Sequence, residues 1–353
     1  MRARLQKFLK RLKQENLDGF IVSSPANISY LSGFTSCDAY LLAAKKEIVY
    51  FTDSRYAQEV KPKLKRWASL KKINGSVFEI IANTCRDLQL RRIGFEGRHM
   101  AYAEYRKIKG YLRPGEYLIP THSLIESLRQ VKDAGEIEKI REALKITGLS
   151  LQFVRSFIKP GAKELEVAAE LERFIRYNGA IGAAFDIIVA SGPNSAYPHH
   201  RPGQKKIREG ELVLIDIGVD YFGYKSDLTR VFFSDKIKDL TRRIYDIVLE
   251  AQRKAITKIR PGEEIARIDA LARNYIADKG YAKFFGHSLG HGVGLETHEA
   301  PSISANFGGV LLPGMVFTVE PAVYLTGKFG IRIEDMILVT KKGCEVLSGF
   351  VHK

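Results

Sequence analysis

Three of the eight histidines lie within GHSLGHGVGLETHEAP, residues 286–301, and these are His287, His291 and His298. The i, i+4 spacing of His287 and His291 would place both on one face of a zinc-binding helix. Four glycines interrupt this stretch, however, and each would cost about 1 kcal/mol inside a helix. We therefore expect backbone that turns sharply or approaches a neighbour closely, at Gly286, Gly290, Gly292 and Gly294.

Carboxylates that could share a cation with these histidines occur in ELVLIDIGVDYFGYKSDLTRVFF, residues 211–233. Two apolar runs flank a turn region, which predicts a β-hairpin. If the turn centres between Tyr221 and Phe222, Asp216 and Asp227 are direct cross-strand partners. Their Cβ atoms would then lie about 5 Å apart on one face of the hairpin.

A second acidic pair follows the same pattern in MVFTVEPAVYLTGKFGIRIEDMILV, residues 315–339. A hairpin centred on Gly327 places Glu320 opposite Glu334. Like charges in this arrangement are destabilising unless one group is protonated or a cation lies between them. Two such pairs beside a glycine-rich histidine segment predict a metal site.

The charge of the ligands favours two metal ions. Four carboxylates carry four negative charges, which two divalent cations would balance, and one neutral imidazole would complete the set. Ligation rich in carboxylates and free of thiolates suits Mn²⁺ or Co²⁺ first, and then Zn²⁺ or Fe²⁺. Two such ions about 3.5–4 Å apart can hold a water molecule as hydroxide for hydrolysis.

The elements that would position these residues form two domains. Leu5, Phe8, Leu9 and Leu12 at helical spacing predict a first helix. Short apolar runs then alternate with helical stretches, which is typical of an α/β domain; the runs are GFIVSS, AYLLAA, EIVYFTD, FEIIAN and RIGFEG. A long charged helix over residues 133–158 opens the second half. We predict domains at residues 1–127 and 128–353.

The second half contains an internal repeat. PGAKELEVAAELERFIRYNG begins at Pro160, and PGEEIARIDALARNYIADKG begins at Pro261. Each segment predicts a helix that is opened by Pro-Gly and closed by glycine. Two similar units predict a pseudo-symmetric domain with a site between its halves.

Composition excludes several classes of protein. The chain has 353 residues, of which 45% are hydrophobic, as in soluble globular proteins. It lacks the apolar run of about 18 residues that a membrane span needs, and its basic start lacks the apolar core of a secretory signal. The three cysteines, Cys37, Cys85 and Cys344, form no CxxC pair, so we expect inert thiols and a cytoplasmic location.

The net charge of +16 is concentrated in residues 1–130, which carry 24 Lys and Arg against 12 Asp and Glu. A basic region can indicate nucleic-acid binding. Here the basic residues alternate with acidic and apolar ones, and no aromatic–basic RNA motif occurs. We expect a solvated surface and no nucleic-acid partner.

The second half resembles the pita-bread metallopeptidases, which include aminopeptidase P, prolidase and, more distantly, methionine aminopeptidase. The matching stretches are VASGPNSAYPH, LIDIGVDYFGYKSDLTR, GHSLGHGVGLETHEAP, VEPAVY and GIRIED. In the first half, PANISYLSGF and FTDSRY resemble the creatinase-type N-terminal domain. The resemblance implies an α/β creatinase-like N-terminal domain and an α+β pita-bread catalytic domain.

The resemblance also implies roles for individual residues. The implied metal ligands are Asp216, Asp227, His291, Glu320 and Glu334. Asp227 and Glu334 would bridge both metals, and Glu320 would also move protons. The implied substrate residues are His298 at the scissile carbonyl, His199 in the active site, His287 near the proline pocket and Arg332 beside a bridging carboxylate. His200 stands where many relatives have glycine, and we expect it at the surface.

The resemblance implies hydrolysis of the N-terminal Xaa-Pro peptide bond of a substrate with proline at its second position. A strict dipeptidase must pair the free proline carboxylate with a basic group. No Lys or Arg occurs from Glu299 to Val319, and Ser302 stands where some prolidases have arginine. This favours an Xaa-Pro aminopeptidase, with an Xaa-Pro dipeptidase (prolidase) as the alternative.

Three remoter alternatives stay open. A metal-free peptide-binding module is disfavoured because all five ligand positions are filled. A nucleic-acid-binding protein and a methionine aminopeptidase are the others, and the extra N-terminal domain argues against the latter. The resemblance also implies a homodimer in which the N-terminal domain covers a neighbour's active site.

Overall fold

The computed structural model describes residues 2–35, 38–64, 67–234 and 238–353. They form two compact units, Met1–Arg129 and Gln130–Lys353, which divide two residues after the predicted boundary. Cys37 lies outside the described residues, whereas the predicted inert thiols Cys85 and Cys344 are free cysteines, one buried and one half-buried. Within the described ranges, no helix is long and apolar enough to cross a membrane.

The first unit is a mixed six-stranded sheet with helices. The strands, in the spatial order β4-β3-β2-β1-β5-β6, are β1 (Gly19–Val22), β2 (Ala39–Ala44), β3 (Ile48–Thr52), β4 (Ser69–Lys72), β5 (Arg92–Glu96) and β6 (Tyr117–Thr121). The helices are α1 (Arg2–Gln14), α2 (Pro25–Ser32), α3 (Ser54–Leu64), α4 (Val77–Asp87), α5 (Tyr102–Tyr111) and α6 (Glu126–Arg129). β1 to β3 pair antiparallel, and the remaining pairs are parallel.

Four of the five apolar runs are strands, but FEIIAN is part of helix α4. Its apolar residues recur at helical spacing, so that Ile81 and Cys85 lie four positions apart and are both fully buried. Ser76 precedes the helix in an extended conformation. The run FEIIAN predicts a strand wrongly, because periodicity alone does not separate a buried helix segment from a strand.

The second unit combines four long helices with antiparallel sheets. The helices are α7 (Ala134–Phe153), α8 (Glu164–Tyr177), α9 (Asp239–Ile256) and α10 (Ile265–Asp278). The strands are β7 (Gly182–Ala183), β8 (Ile188–Ser191), β9 (Leu212–Ile217), β10 (Val219–Tyr221), β11 (Tyr224–Lys225), β12 (Leu228–Phe233), β13 (Gly290–Gly292), β14 (Glu299–Ile303), β15 (Val316–Val319), β16 (Ala322–Leu325), β17 (Phe329–Arg332), β18 (Asp335–Val339) and β19 (Cys344–Val346). Short 3₁₀ helices span Val154–Phe157, Gly192–Ala196 and Ala282–Phe284.

Four sheets are formed by these strands, in the orders β11-β10-β7, β12-β9-β8, β14-β13-β15-β18-β19 and β16-β17. One hydrophobic core lies under α7 and α8, and a second lies under α9 and α10. The predicted long charged helix is α7, which continues into the first 3₁₀ helix. Asp133 caps α7 by accepting a hydrogen bond from the Glu136 amide.

The predicted internal repeat is confirmed in its backbone geometry. α8 and α10 each follow a Pro-Gly turn in which the glycine has a positive φ, 91° at Gly161 and 83° at Gly262. The Gly161 amide donates to the Ile207 carbonyl, and the Gly262 amide donates to the Leu311 carbonyl in the same way. The two halves therefore hold their repeat helices through equivalent hydrogen bonds.

The histidine segment is extended rather than helical, as its glycines predicted. A Cβ atom on Gly290 would overlap the backbone oxygen of Thr318, and one on Gly292 would overlap that of Ala300. A Cβ atom on Gly294 would overlap the Glu299 carboxylate. The glycines of β13 therefore admit close neighbouring strands, so that this strand can lie inside the sheet.

We expect Gly290→Ala to lower the free energy of unfolding by about 1–3 kcal/mol, because the added methyl group must displace a neighbouring backbone. Gly343→Ala is the matched control, since nothing lies within 4 Å of a Cβ atom at that position. It should change stability by less than about 0.5 kcal/mol. Urea unfolding of the two variants gives the comparison, and equal midpoints would contradict the close approach of β13.

Candidate metal centre

The first acidic hairpin has a different register from the predicted one. Tyr221 pairs with Tyr224, so the turn consists of Phe222 and Gly223, which both have positive φ. Two positive φ values are typical of the type I′ turns that join tightly paired strands. Asp216 consequently pairs with Thr229. Asp227 lies two positions before Thr229 along the same strand face, so the two aspartates are diagonal rather than direct neighbours.

The second acidic hairpin has the predicted register. Ala322 pairs with Arg332 across the turn at Gly327, whose φ is 75°. Val319 pairs with Asp335 in the adjoining sheet. Glu320 and Glu334 occupy the opposed positions between these two pairs, where the strands pass from one sheet to the other.

His291 brings the two hairpins together. Its Nε2 atom lies 3.2 Å from Glu320 Oε1 and 3.5 Å from Asp227 Oδ2. One ligand atom each from Asp227, His291 and Glu334 lie within 4.8 Å of one another. A β-bulge between His291 and Gly292 interrupts the pairing with β14, and such bulges redirect a side chain locally.

Arg332 connects acids from both hairpins. Its Nη2 atom donates to Asp216 Oδ2 at 2.6 Å, and its Nε atom donates to Thr229 Oγ1 at 3.0 Å. Thr229 Oγ1 in turn donates to Glu334 Oε2 at 2.7 Å. The planar guanidinium thus fixes one carboxylate directly and another through a hydroxyl group.

Burial and mutual repulsion raise two of the carboxyl pKa values. Burial first, and then the negative charge of Glu334, Asp216 and Glu320, raise the pKa of Asp227 well above its usual range. Burial and the charges of Glu320 and Asp216 raise the pKa of Glu334 in the same way. Without cations, burial and repulsion therefore favour the protonated form of these two acids.

The pKa of Glu320 shifts in the opposite direction. Burial opposes ionisation of Glu320, but the hydrogen bond and charge of His291 outweigh it and lower the pKa of Glu320 to about 2. The pKa of His291 is raised, since its contact with Glu320 outweighs the effect of burial. This pair is accordingly an ion pair in the metal-free protein.

The donor set fits divalent cations. Asp216 Oδ1 is buried and has no hydrogen-bond partner among the described residues, although a buried carboxylate oxygen needs one. Three further carboxylates and one imidazole surround it, a set that suits Mn²⁺, Co²⁺, Zn²⁺ or Fe²⁺. Cations placed between these acids would remove the repulsion that raises the pKa values of Asp227 and Glu334.

The other predicted histidines lie around this cluster. The His298 ring stands 4.1 Å from that of His291, centroid to centroid. Partial burial and the neighbouring His291 lower the pKa of His298, which favours a neutral ring. His287 Nε2 lies 3.2 Å from the Tyr324 hydroxyl, and Tyr324 also accepts from Arg332 at 2.7 Å. His199 is exposed and close enough to His298 to influence its charge.

The segment before β13 is held by helix α10. Asp269 is fully buried and accepts a hydrogen bond from the Leu289 amide at 3.1 Å. Arg273 pairs with Asp269 and donates to the His287 carbonyl at 2.8 Å. A buried carboxylate on the second repeat helix therefore fixes the backbone on which His287 lies.

Sequence reasoning missed three hydroxyl groups and one ion pair. The Thr318 hydroxyl donates a hydrogen bond to Glu320 at 3.0 Å. The hydroxyl groups of Thr229 and Tyr324 accept hydrogen bonds from Arg332. Tyr324 lies four positions after Glu320, and the period of two in a strand places both on the same face. This spacing could have indicated that Tyr324 belongs to the site. Lys132 forms an almost fully buried ion pair with Glu299 at 2.8 Å. The two residues are far apart along the chain, so no local sequence pattern indicates this contact.

The fold and this cluster together define a two-domain metal-dependent hydrolase. Residues 4–131 match the Creatinase/Prolidase N-terminal domain, and residues 138–341 match Metallopeptidase family M24. The chain belongs to metallopeptidase family M24. The predicted creatinase-like N-terminal domain and pita-bread catalytic domain are thereby confirmed.

Full-length relatives support this assignment. An Xaa-Pro dipeptidase from Pyrococcus furiosus is 36% identical over 349 residues, which cover 99% of this chain and 98% of that protein. The structure of an Xaa-Pro dipeptidase from Bacillus anthracis has a TM-score of 0.94 at 37% identity, covering 98% of this chain and 97% of that one. An X-Pro aminopeptidase from Thermotoga maritima has a TM-score of 0.88 at 36% identity, covering 96% and 97%. These relatives favour the dipeptidase alternative over the aminopeptidase that the lack of a basic residue at Ser302 had favoured.

Metal binding should stabilise the protein more as pH rises. In the metal-free fold the pKa values of Asp227 and Glu334 are raised, so folding retains protons that the unfolded chain releases above about pH 4. Stability of the metal-free protein should therefore fall from about pH 5 to about pH 8. Bound cations need deprotonated ligands and gain affinity over the same range.

Thermal melts with a chelator and with saturating Mn²⁺, at both pH values, measure this difference. The increase in melting temperature on adding Mn²⁺ should be larger at the higher pH. An equal increase at both pH values would contradict the assignment of protons to these two acids.

Proposed function

We propose that the protein is an Xaa-Pro dipeptidase that hydrolyses the bond before proline. The observation that carries this proposal is the buried cluster of four carboxylates around His291, which lies within a family M24 domain. Two of the three relatives described above are Xaa-Pro dipeptidases and match this chain over almost its whole length. Release of the first residue from longer peptides is the second candidate, favoured by the lack of Lys and Arg from Glu299 to Val319.

The same proposal includes two divalent cations, with Mn²⁺ as the native metal. Their ligands would be Asp216, Asp227, His291, Glu320 and Glu334. Bound cations of this kind lower the pKa of water and polarise a scissile carbonyl group. Four negative charges and a neutral imidazole balance two such ions, which supports this number.

Glu320 would act as the proton carrier. Its carboxylate is ionised in the metal-free protein because His291 lowers its pKa. An ionised carboxylate can accept the proton of the attacking water and deliver it to the leaving nitrogen of proline. Thr318 donates a hydrogen bond to its Oε1 atom, which supports a fixed orientation for this transfer.

The histidines would bind and orient the substrate. His298, beside His291, would donate a hydrogen bond to the carbonyl oxygen as negative charge develops there. His199 would contact the substrate from the neighbouring loop, and His287 would line the pocket for the proline ring. Proline nitrogen carries no N–H in a peptide, so an apolar pocket rather than an amide hydrogen bond would select it.

Arg332, which the resemblance implies as a substrate residue, would act on the substrate through the metal ligands that it holds. Its hydrogen bonds to Asp216 and Thr229 use two sides of the guanidinium group. With Tyr324 as a further partner, these contacts leave it poorly suited to bind a free carboxylate. The basic group that pairs with the proline carboxylate of a dipeptide would therefore come from another residue.

A homodimer and a cytoplasmic location belong to the same proposal, as does the absence of nucleic-acid and membrane partners. The few scattered cysteines support a reducing compartment. Sedimentation equilibrium of the purified protein would decide whether it is a dimer, and a salt-dependent gel shift would reveal nucleic-acid binding.

Purified, Mn²⁺-loaded enzyme should hydrolyse Ala-Pro and leave Arg-Pro-Pro-Gly-Phe largely intact. Chromatographic analysis of the products from both substrates, run side by side, measures this preference. Release of arginine from the pentapeptide would instead establish the aminopeptidase. Cleavage of neither peptide by protein with confirmed bound metal would refute the proline-peptidase proposal.

We expect two Mn²⁺ ions per chain in the wild type and fewer in Asp227→Asn, because the amide removes one negative charge from the cluster. Mass spectrometry of dialysed protein measures the metal content. Asp246→Asn is the control, since that exposed acid lies on α9 outside the cluster. A single ion in the wild type, or unchanged content in Asp227→Asn, would contradict the dinuclear assignment.

A further inference from the structure

The loop that carries His199 runs over residues 191–200 and forms a short 3₁₀ helix followed by a turn. His199 itself is exposed, so its position depends on how the backbone of the loop is held. The loop begins at the end of β8, which ties its start to the sheet of β8, β9 and β12. Contacts made by its other residues must fix the part that follows.

One buried carboxylate receives hydrogen bonds from the beginning of this loop. Glu164 is the first residue of α8, and its side chain is fully buried. Its Oε1 atom accepts from the Ser191 amide at 2.7 Å and from the Ser191 hydroxyl at 2.8 Å. Asn194 Nδ2 lies 3.0 and 3.1 Å from the two carboxylate oxygens.

The same carboxylate also holds the end of the loop. His200 Nε2 lies 2.9 Å from Glu164 Oε2, and only 17% of the His200 side chain is exposed. The expectation that His200 lies at the surface is therefore wrong. It failed because Glu164 is 36 residues away along the chain, and a contact so distant leaves no local pattern.

The opposite side of the loop contacts the strand that carries Arg332. The Gly330 amide donates to Ser195 Oγ at 2.8 Å, and Arg332 Nη1 lies 3.4 Å from the Pro198 carbonyl oxygen. The loop is thus held between α8 on one side and β17 on the other. A shift of its end away from α8 would move His199, the residue directly before His200.

We propose that Glu164 and His200 are positioning residues that hold His199 in its working position. This inference rests on the proposed function, and it extends it to two residues that do not touch the substrate. The arrangement on α10, where buried Asp269 fixes the backbone around His287, is its counterpart in the other half of the domain. Each repeat helix therefore supplies a buried carboxylate that holds a histidine-bearing segment.

The physical reason is the strength of hydrogen bonds to a buried ionised carboxylate. Removing the His200 donor frees the loop end from α8 while leaving Ser191 and Asn194 attached. His199 would then occupy a range of positions instead of one, and a displacement of about 1 Å can cost about 100-fold in rate. Substrate affinity depends on other groups as well, so KM should change much less than kcat.

Three variants test this proposal in the metal-loaded full chain with Ala-Pro as substrate. His200→Ala should lower kcat about 10- to 100-fold and change KM by less than about three-fold. His200→Gln keeps a side-chain N–H donor of similar reach and should restore most of the lost kcat. His122→Ala removes an exposed histidine of the first unit and should leave both constants unchanged.

A double-mutant cycle separates positioning from a general structural effect. If His200 acts through His199, His200→Ala should have little further effect on kcat in the His199→Ala background. An equal loss in both backgrounds would overturn the proposal, because the variant would then act by another route. The proposal would also be overturned if His200→Gln lost as much kcat as His200→Ala.

Hydrogen–deuterium exchange provides a readout that does not depend on activity. Peptides covering residues 191–201 should exchange faster in His200→Ala than in the wild type, and His200→Gln should restore the protection. If these peptides exchanged at the same rate in His200→Ala and in the wild type, the proposal that Glu164 and His200 hold the loop would be overturned. If the wild type cleaves neither Ala-Pro nor the pentapeptide, the proposed function fails, and the exchange rates still decide whether Glu164 and His200 hold the loop.

Discussion

Mutual repulsion among four buried carboxylates is the constraint on which the catalytic unit depends. Asp216, Asp227, Glu320 and Glu334 are all largely buried, where their charges are poorly screened by water. Without cations, raised pKa values favour protonation of Asp227 and Glu334, while His291 contacts Glu320 and Arg332 contacts Asp216. Such a cluster weakens the fold unless cations occupy it, so its presence points to function rather than stability.

The scaffold brings these charges together through two hairpins, one from each half of a pseudo-symmetric domain. Each half packs its own pair of helices over its own hydrophobic core, so the cost of the acidic cluster is met by burial elsewhere. Glycines in β13 let His291 enter between the hairpins, because larger residues there would collide with neighbouring backbone. The two hydrophobic cores thus lie beneath the helices, and the charged groups lie where the two hairpins meet.

The site could be predicted from sequence where the pattern was local. The second hairpin has a symmetrical pattern around Gly327, which fixed its register correctly. In the first hairpin the partner of Asp216 is two positions away from the predicted one. The turn includes Phe222, which has a positive φ, and a non-glycine residue gives little sign of that conformation in the sequence. FEIIAN predicts a strand but forms a helix, since a short apolar run fits the periods of both structures. Contacts between distant positions, such as Glu164 with His200 and Lys132 with Glu299, had no sequence signal.

The two hairpins differ in a way that the repeat conceals. The first supplies aspartates in diagonal positions, whereas the second supplies glutamates in directly opposed positions. Glutamate is longer by one methylene group, so the two pairs reach different distances from their strands. The two halves of the repeat therefore carry acidic pairs of unequal length. Two cations bound between these pairs would have distinct surroundings. Two ions in such unequal surroundings would differ in affinity, so one would be released or exchanged before the other.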